Sequence, residues 1–180
     1  MLNTETREII LKGIGASPGI CIGKAYLVDK EGVNVIKKYF IHEAHLEKEK
    51  NRFKTAVKKA EDELHSVIKD TPEELREHAN ILETHVALLK DKMLYGKTIQ
   101  TIEKEQVNAE WALKKVVTRL KAMFRNMSDP YLKERSADVV HVADHITRNL
   151  VGTDHTNIRN IEKRVILVAD DLSPAETSQI

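Results

Sequence analysis

The sequence predicts a mainly α fold, an antiparallel four-helix bundle inserted into a partial, truncated α/β subdomain. Three observations predict it. From Leu46 to Leu150 apolar residues recur at three- and four-residue steps, the period of amphipathic helices. Arg164 to Ala169, an apolar β-branched run, reads as a buried strand rather than a frayed tail. Charged residues make up 32% of the 180 positions and aromatics 4%, a balance that favours exposed amphipathic helices over a β-sandwich.

The elements follow in order. Ile9, Ile10, Leu11 and Ile14, then Ile20, Ile22, Ala25 and Leu27, predict two short strands around the turn Ser17-Pro18-Gly19. Leu46, Phe53, Val57, Ala60, Leu64 and Val67 line the first helix, which Asp70-Thr71-Pro72 ends. A second helix over about 72–95 carries Leu75, Ala79, Leu82, Val86, Leu89 and Met93 as an unbroken 4-3-4-3-4 seam, and Gly96 is expected to stop it. A mixed segment runs to Gln106. Asn108 caps a third helix with Ala109, Ala112, Val116, Leu120, Met123 and Met127 inward. Ser128-Asp129-Pro130 starts a fourth, lined by Leu132, Val139, Ala143, Ile146 and Leu150, and Gly152 caps its end. After the strand at 164–169, Ser173-Pro174-Ala175-Glu176 spells a capping box, yet only four residues follow, ending at Ile180. The domain reading is 1–30 and 152–180 as two parts of the α/β unit, with 31–151 as the helical subdomain between them.

The totals exclude several classes. A net charge of +1 and a single Trp argue against nucleic acid as a partner. No apolar run approaches a membrane span, and the N-terminus lacks a signal-peptide core. One cysteine, Cys21, permits no intrachain disulfide and suits a reducing cytoplasm.

The chemistry-bearing motifs are few. "GICIGKA" (19–25) has three residues between its glycines and no hydroxyl after Lys24, so it fails as a phosphate loop. His42 and His45 are wrongly spaced for zinc. His141 and His145, with Asp138 and Asp144 near, could share a metal, but a solvated polar face is the plainer reading. The second helix carries an extra stripe, His78, Ile81, His85 and Leu88, flanked by Ala87 and Leu94. Either this helix is buried on two sides or the stripe meets a partner. From Val86 to Asn126, nine Lys and Arg face four Asp and Glu, which suits either a solvated face or an acidic partner.

Three stretches, "GIGASPGICIGKA" (13–25), "DPYLKERSADV" (129–139) and "RVILVADDLSPAETSQ" (164–179), resemble enzyme I of the phosphoenolpyruvate:sugar phosphotransferase system in content, order and spacing. The resemblance covers the whole chain. It implies a helical subdomain, inserted into an α/β phosphohistidine subdomain, that docks the carrier protein HPr. It also implies a phosphoaccepting histidine in a Gly-rich segment, expected beyond Ile180, since none of the eight histidines here lies in such a segment. No catalytic residue is therefore assigned in this chain, which is expected to be inert by itself. Phosphoenolpyruvate and Mg²⁺ binding, and homodimerisation, are expected from a C-terminal domain absent from this sequence. No metal site is expected within the sequence itself.

The resemblance places HPr docking around Glu77, Asn80, Glu83, His85, Ala87, Leu88, Leu94 and Arg135. One departure stands out: the family's docking helix is usually acidic, whereas Arg76, His78, Lys90 and Lys92 occupy the region here. The cognate HPr is less basic, or the charge pattern has moved elsewhere. The alternatives are a paralogous enzyme I of a nitrogen-regulatory or dihydroxyacetone-kinase relay, and a non-enzymatic helical adaptor.

Overall fold

The computed structural model describes residues 10, 12–28, 36–71, 76–126, 130–152, 165–169 and 172–177, with backbone alone at 76–78 and 130–135. Met127 as a core side chain, the expected stop at Ser128 and Asp129, Leu75 inside the second helix, and Leu132 as a core side chain all fall outside this description. So does Ile180, beyond which the phosphoaccepting histidine is expected.

Five helices build the helical part: α1 (Leu46–Asp70), α2 (Arg76–Leu89), α3 (Lys97–Glu105), α4 (Ala109–Arg125) and α5 (Pro130–Val151). α1 ends where it must. Thr71 precedes a proline, whose ring disfavours helical backbone in the residue before it, and Thr71 is extended at φ −73°, ψ 124°. The core lies where α1, α4 and α5 meet, with α2 and α3 packed along α1. Phe53, Leu64, Leu82, Leu89, Ile102, Leu113 and Ile146 are fully buried there. Each such side chain contributes roughly 1.5–3 kcal/mol by leaving water. Gly152 takes the left-handed backbone (φ +74°) that ends α5, and its N–H donates to the Arg148 carbonyl at 3.0 Å.

The strands β1 (Lys24–Leu27) and β2 (Val165–Val168) pair in parallel, with Lys24 opposite Val165 and Leu27 opposite Val168. A parallel pair needs a long crossover, and here the helices supply it. A Cβ on Gly23 would lie 3.4 Å from Ile166, so the backbone approaches β2 closely just before β1 begins. The helix α6 (Pro174–Thr177) follows β2 and packs against α2.

Three expectations need correction. The first of the two N-terminal strands does not form among the described residues; Ile14, Ile20 and Ile22 are each at least 95% exposed and lie in no strand. An apolar run makes a strand only where a neighbour takes its hydrogen bonds.

Second, Gly96 does not stop the second helix. The break comes earlier, at Lys90–Asp91. Asp91 ends α2 and caps a single π-helical turn, Lys92–Gly96, by accepting from the Met93 N–H at 2.7 Å. Gly96 is helical (φ −63°, ψ −42°) and leads straight into α3, so the "mixed" segment is a helix. The break rotates the next turn about the helix axis: Met93, expected in the core, is 45% exposed, and Leu94 takes its place at 1%.

Third, Asn108 precedes α4 with extended backbone but does not cap it. Its side chain turns to a strap over 37–41 instead, accepting from Tyr39 N–H and donating to the Lys37 carbonyl, each at 3.1 Å. Glu49 of α1 caps α4 in its place, accepting from Ala109 N–H at 2.7 Å.

α3 ends on Gln106 in left-handed backbone, φ 51° and ψ 45°. That region costs an L side chain roughly 1 kcal/mol and glycine almost nothing. Gln106→Gly is expected to stabilise the fold by about 0.5–1 kcal/mol, measured as a higher urea midpoint. A lower midpoint would show that the Gln106 side chain contributes more than the strain removes.

Candidate docking site

α2 sorts the expected docking residues by depth. Its inner stripe, Ala79, Leu82 and Leu89, faces the core. Asn80, Glu83 and Ala87 follow each other at helical spacing and are all exposed. Ile81 is 43% exposed beside them. Leu88 is half-buried against the core. Glu77 and Arg135 lie on α2 and α5, but their side chains are outside the described residues.

Two of the expected residues are buried. Leu94 belongs to the core because the break at Asp91 turns it inward. His85 is 3% exposed, with Nε2 3.4 Å from Asp138 Oδ1 and its ring stacked toward His141 at 6.4 Å. Burial lowers its pKa from the usual imidazole value, and the Asp138 carboxylate only partly opposes that. The second stripe on α2 therefore divides. At His85 it is a second buried side, facing α5; at Ile81 it meets solvent.

The histidines of α5 are not a solvated face either. His145 is 16% exposed, and its Nε2 lies 2.5 Å from Glu63 Oε2 on α1. Burial pushes the Glu63 carboxyl up, but hydrogen bonds from His145 and from Asn149 Nδ2 (3.0 Å) outweigh it and hold the pKa at about 2. Among the described residues no group of three His, Cys, Asp or Glu side chains could hold a metal. Nor is any helix among the described residues long and apolar enough to cross a membrane.

A feature that sequence reasoning missed lies beyond the break. A groove of about 350 Å³ opens between the π turn, α3 and α4. Its floor is apolar: Val116 and Leu120 are buried, while Met93 and Met123 are 45% and 39% exposed. Its rim carries Lys97, Lys104 and Arg119, all exposed. Glu105 is the one acid on the rim, and Lys115 Nζ lies 2.6 Å from both of its oxygens. The signal in the sequence was the basic excess over 86–126; the exposed Met93 could be found only by locating the break.

A two-stranded parallel pair flanks the insertion of a helical body in which α2 keeps a half-apolar exposed face. Comparison with known proteins gives the family. Residues 12–135 match the family model described as "PEP-utilising enzyme, N-terminal". The chain belongs to this family of N-terminal domains. It is 37% identical to the phosphoenolpyruvate-protein phosphotransferase of Bacillus subtilis (strain 168) over 171 residues, 94% of this chain and 30% of that protein. It is 35% identical to the phosphoenolpyruvate-protein phosphotransferase of Geobacillus stearothermophilus over 99% of this chain and 31% of that protein. The chain thus spans under a third of these relatives' length. The solution structure of an enzyme I protein, nEIt, superposes with a TM-score of 0.80 at 34% identity, covering 95% of this chain and 69% of the other. The N-terminal domain of a nitrogen-type enzyme 1 matches at a TM-score of 0.63 and 24% identity, a likeness of fold alone.

Proposed function

We propose that this chain is the carrier-docking part of a phosphoenolpyruvate-protein phosphotransferase of the sugar type, working in the cytoplasm. In the intact protein a histidine beyond Ile180 takes phosphate from phosphoenolpyruvate and hands it to HPr. Covalent relay splits one transfer into two easier steps. The observation that carries this reading is the 37% identity to the Bacillus subtilis phosphotransferase along 94% of the chain. The exposed face of α2 supports it. Asn80 and Glu83 give a polar rim to Ala87, Ile81 and the half-buried Leu88, a composition suited to transient docking. His85 and Leu94 support that face from beneath. Phosphoenolpyruvate, Mg²⁺ and homodimerisation belong to a C-terminal domain in this proposal.

The test is an NMR titration of the labelled chain with HPr from the same genome. Saturable shifts at Asn80, Glu83, Ala87 and Leu88 are expected. An unchanged spectrum at millimolar HPr would remove the docking reading. The chain alone is expected to take up no acid-labile phosphate from labelled phosphoenolpyruvate, because none of its eight histidines lies in a matching Gly-rich segment. Incorporated label would overturn that assignment.

A further inference from the structure

The turn α6 is too short to hold itself. A helix shorter than about 12 residues is marginal alone, and α6 spans the 4 residues Pro174–Thr177. Its order comes from what it touches. Within the turn, the Glu176 and Thr177 N–H groups donate to the Ser173 carbonyl at 3.0 and 2.9 Å. The Glu176 side chain reaches further. Its Oε2 accepts from the Ser173 N–H and hydroxyl, each at 2.7 Å, while its Oε1 accepts from Arg148 Nη1 of α5 at 2.9 Å. One carboxylate therefore builds the turn and ties it to the helical body. Little water reaches this tie, since the Arg148 and Glu176 side chains are 13% and 16% exposed, and charge-assisted bonds of this kind are the strong ones. Beside it, Ala175 packs on the buried core and Ser173 is itself buried. The strands β1 and β2 pack mainly on each other, whereas α6 packs on α2, the helix whose exposed face is proposed for docking. The strand unit thus grips the helices through α6, with Arg148 reaching across from α5.

We infer that Arg148 is a positioning residue for phosphoryl transfer: through Glu176 it clamps α6, and the chain that leads on from α6, against the helix on which the carrier docks. The inference rests on the proposed function, in which the phosphorylated histidine follows Ile180 and the carrier meets α2. In the transfer step the bond from phosphorus to the enzyme's histidine nitrogen breaks as a bond from phosphorus to the carrier's acceptor atom forms. Donor and acceptor must be held in line, and a misplacement of about 1 Å can cost a large part of the rate. Among the described residues α6 is the last element before that histidine. Fixed to α2, it keeps the donor chain and the docked carrier in one frame. Arg148 acts through α6 rather than on the carrier, so its loss should slow transfer without weakening docking.

The experiment uses the intact phosphotransferase from the same genome, loaded from labelled phosphoenolpyruvate and mixed with HPr under rapid quench, with each rate referred to the labelled fraction. The natural protein is compared with Arg148→Gln, Arg148→Lys, Glu176→Gln and the double variant Arg148→Gln/Glu176→Gln. Circular dichroism checks each fold, and Glu176→Gln tests the clamp from the α6 side should Arg148→Gln fail to fold. At saturating HPr the two single Gln variants should transfer at least about fivefold more slowly, with the HPr concentration for half-maximal rate unchanged within about twofold. Arg148→Lys, which keeps the charge, should recover most of the rate. The double variant should be no slower than either single one, because the pair acts as a unit. Hydrogen exchange at the Ser173 and Thr177 amides should quicken in the Gln variants alone. Natural rates in the Gln variants, a change confined to the half-maximal HPr concentration, or amides that stay protected in Arg148→Gln would each overturn this inference and leave the proposed function standing. If the natural protein passes no label to HPr, the proposed function falls and takes this inference with it.

Discussion

Replacing Arg52 by Met is expected to lower the stability of the folded chain by about 3 kcal/mol. Arg52 lies at the junction of four segments. Its guanidinium meets Glu110 of α4 with both Nη atoms at 2.8 Å, and Glu49 of its own helix through Nε at 3.0 Å and Nη2 at 2.7 Å. It also donates to the Leu150 carbonyl at 3.1 Å, at the end of α5. Glu49 in turn caps α4, and Glu110 Oε2 accepts from Asn108 Nδ2 at 2.9 Å, which ties in the strap over 37–41. The Glu49 and Glu110 side chains are only 10% and 12% exposed. Remove the cation and two close carboxylates face each other with little water. That penalty, not the lost attraction, dominates when one partner of a buried pair is deleted. The Arg52 side chain is 34% exposed, so water can partly replace it, which sets the value at the low end of the range. Urea unfolding measures it. Glu110→Gln made in the Arg52→Met background should recover part of the loss, since it removes one of the two stranded charges. A loss under about 1 kcal/mol, or no coupling between the two changes, would show that the network is solvated and structurally idle.

How much of this was legible in the sequence follows from the physics of each feature. The helices α1, α4 and α5 are legible because their apolar stripes run long, although α4's buried stripe ends at Leu120 and Met123, expected inward, is 39% exposed beside the groove. The capping box at Ser173 was legible because it is local. Glu176 Oε2 accepts from Ser173 N–H at 2.7 Å, and Ser173 Oγ accepts from Glu176 N–H at 3.3 Å. The join between α2 and α3 was not legible. Its 4-3-4-3-4 seam reads on through Asp91, and only the backbone shows that Asp91 restarts the helix with Leu94 inward. The Arg52 network was invisible for another reason. Arg52 and Glu110 are 58 positions apart, and each looks like an ordinary surface charge until the helices are packed. The groove shares that difficulty, since Met93 and Met123 come from different helices. His85 stands out in the sequence, but a lone histidine among apolar neighbours does not say whether it faces a partner or an adjacent helix.

Lowering the pH from about 4.5 to about 2 is expected to destabilise the chain through Glu63 and Glu176, and at two different places. Burial alone would raise the Glu176 carboxyl. Its bonds from the Ser173 N–H and hydroxyl, with Arg148 Nη1 at 2.9 Å, win and hold the pKa at about 2. Glu63 is held at about 2 by His145 and Asn149. The sign follows from linkage. Both carboxylates bind protons less readily folded than unfolded, so their contribution is complete above about 4.5 and is lost as pH falls through the folded value. For Glu176, at 16% side-chain exposure, a displacement of this size corresponds to at most about 3 kcal/mol. Glu63 is 36% exposed, and solvent screening makes its share smaller. The two act on different structures. Glu63 joins α1 to α5 inside the helical body, so Glu63→Gln should flatten the acid limb of global unfolding measured by helical circular dichroism. Glu176 joins α6 to α5, and α6 is a single turn of helix. Glu176→Gln should leave the global curve nearly unchanged while the Ser173 and Thr177 amides lose their protection from hydrogen exchange at neutral pH. If Glu176→Gln lowered global stability by as much as Glu63→Gln, α6 would be an integral part of the helical body. If neither variant changed the acid limb, other carboxylates held low, such as Glu110 beside Arg52, would be setting it.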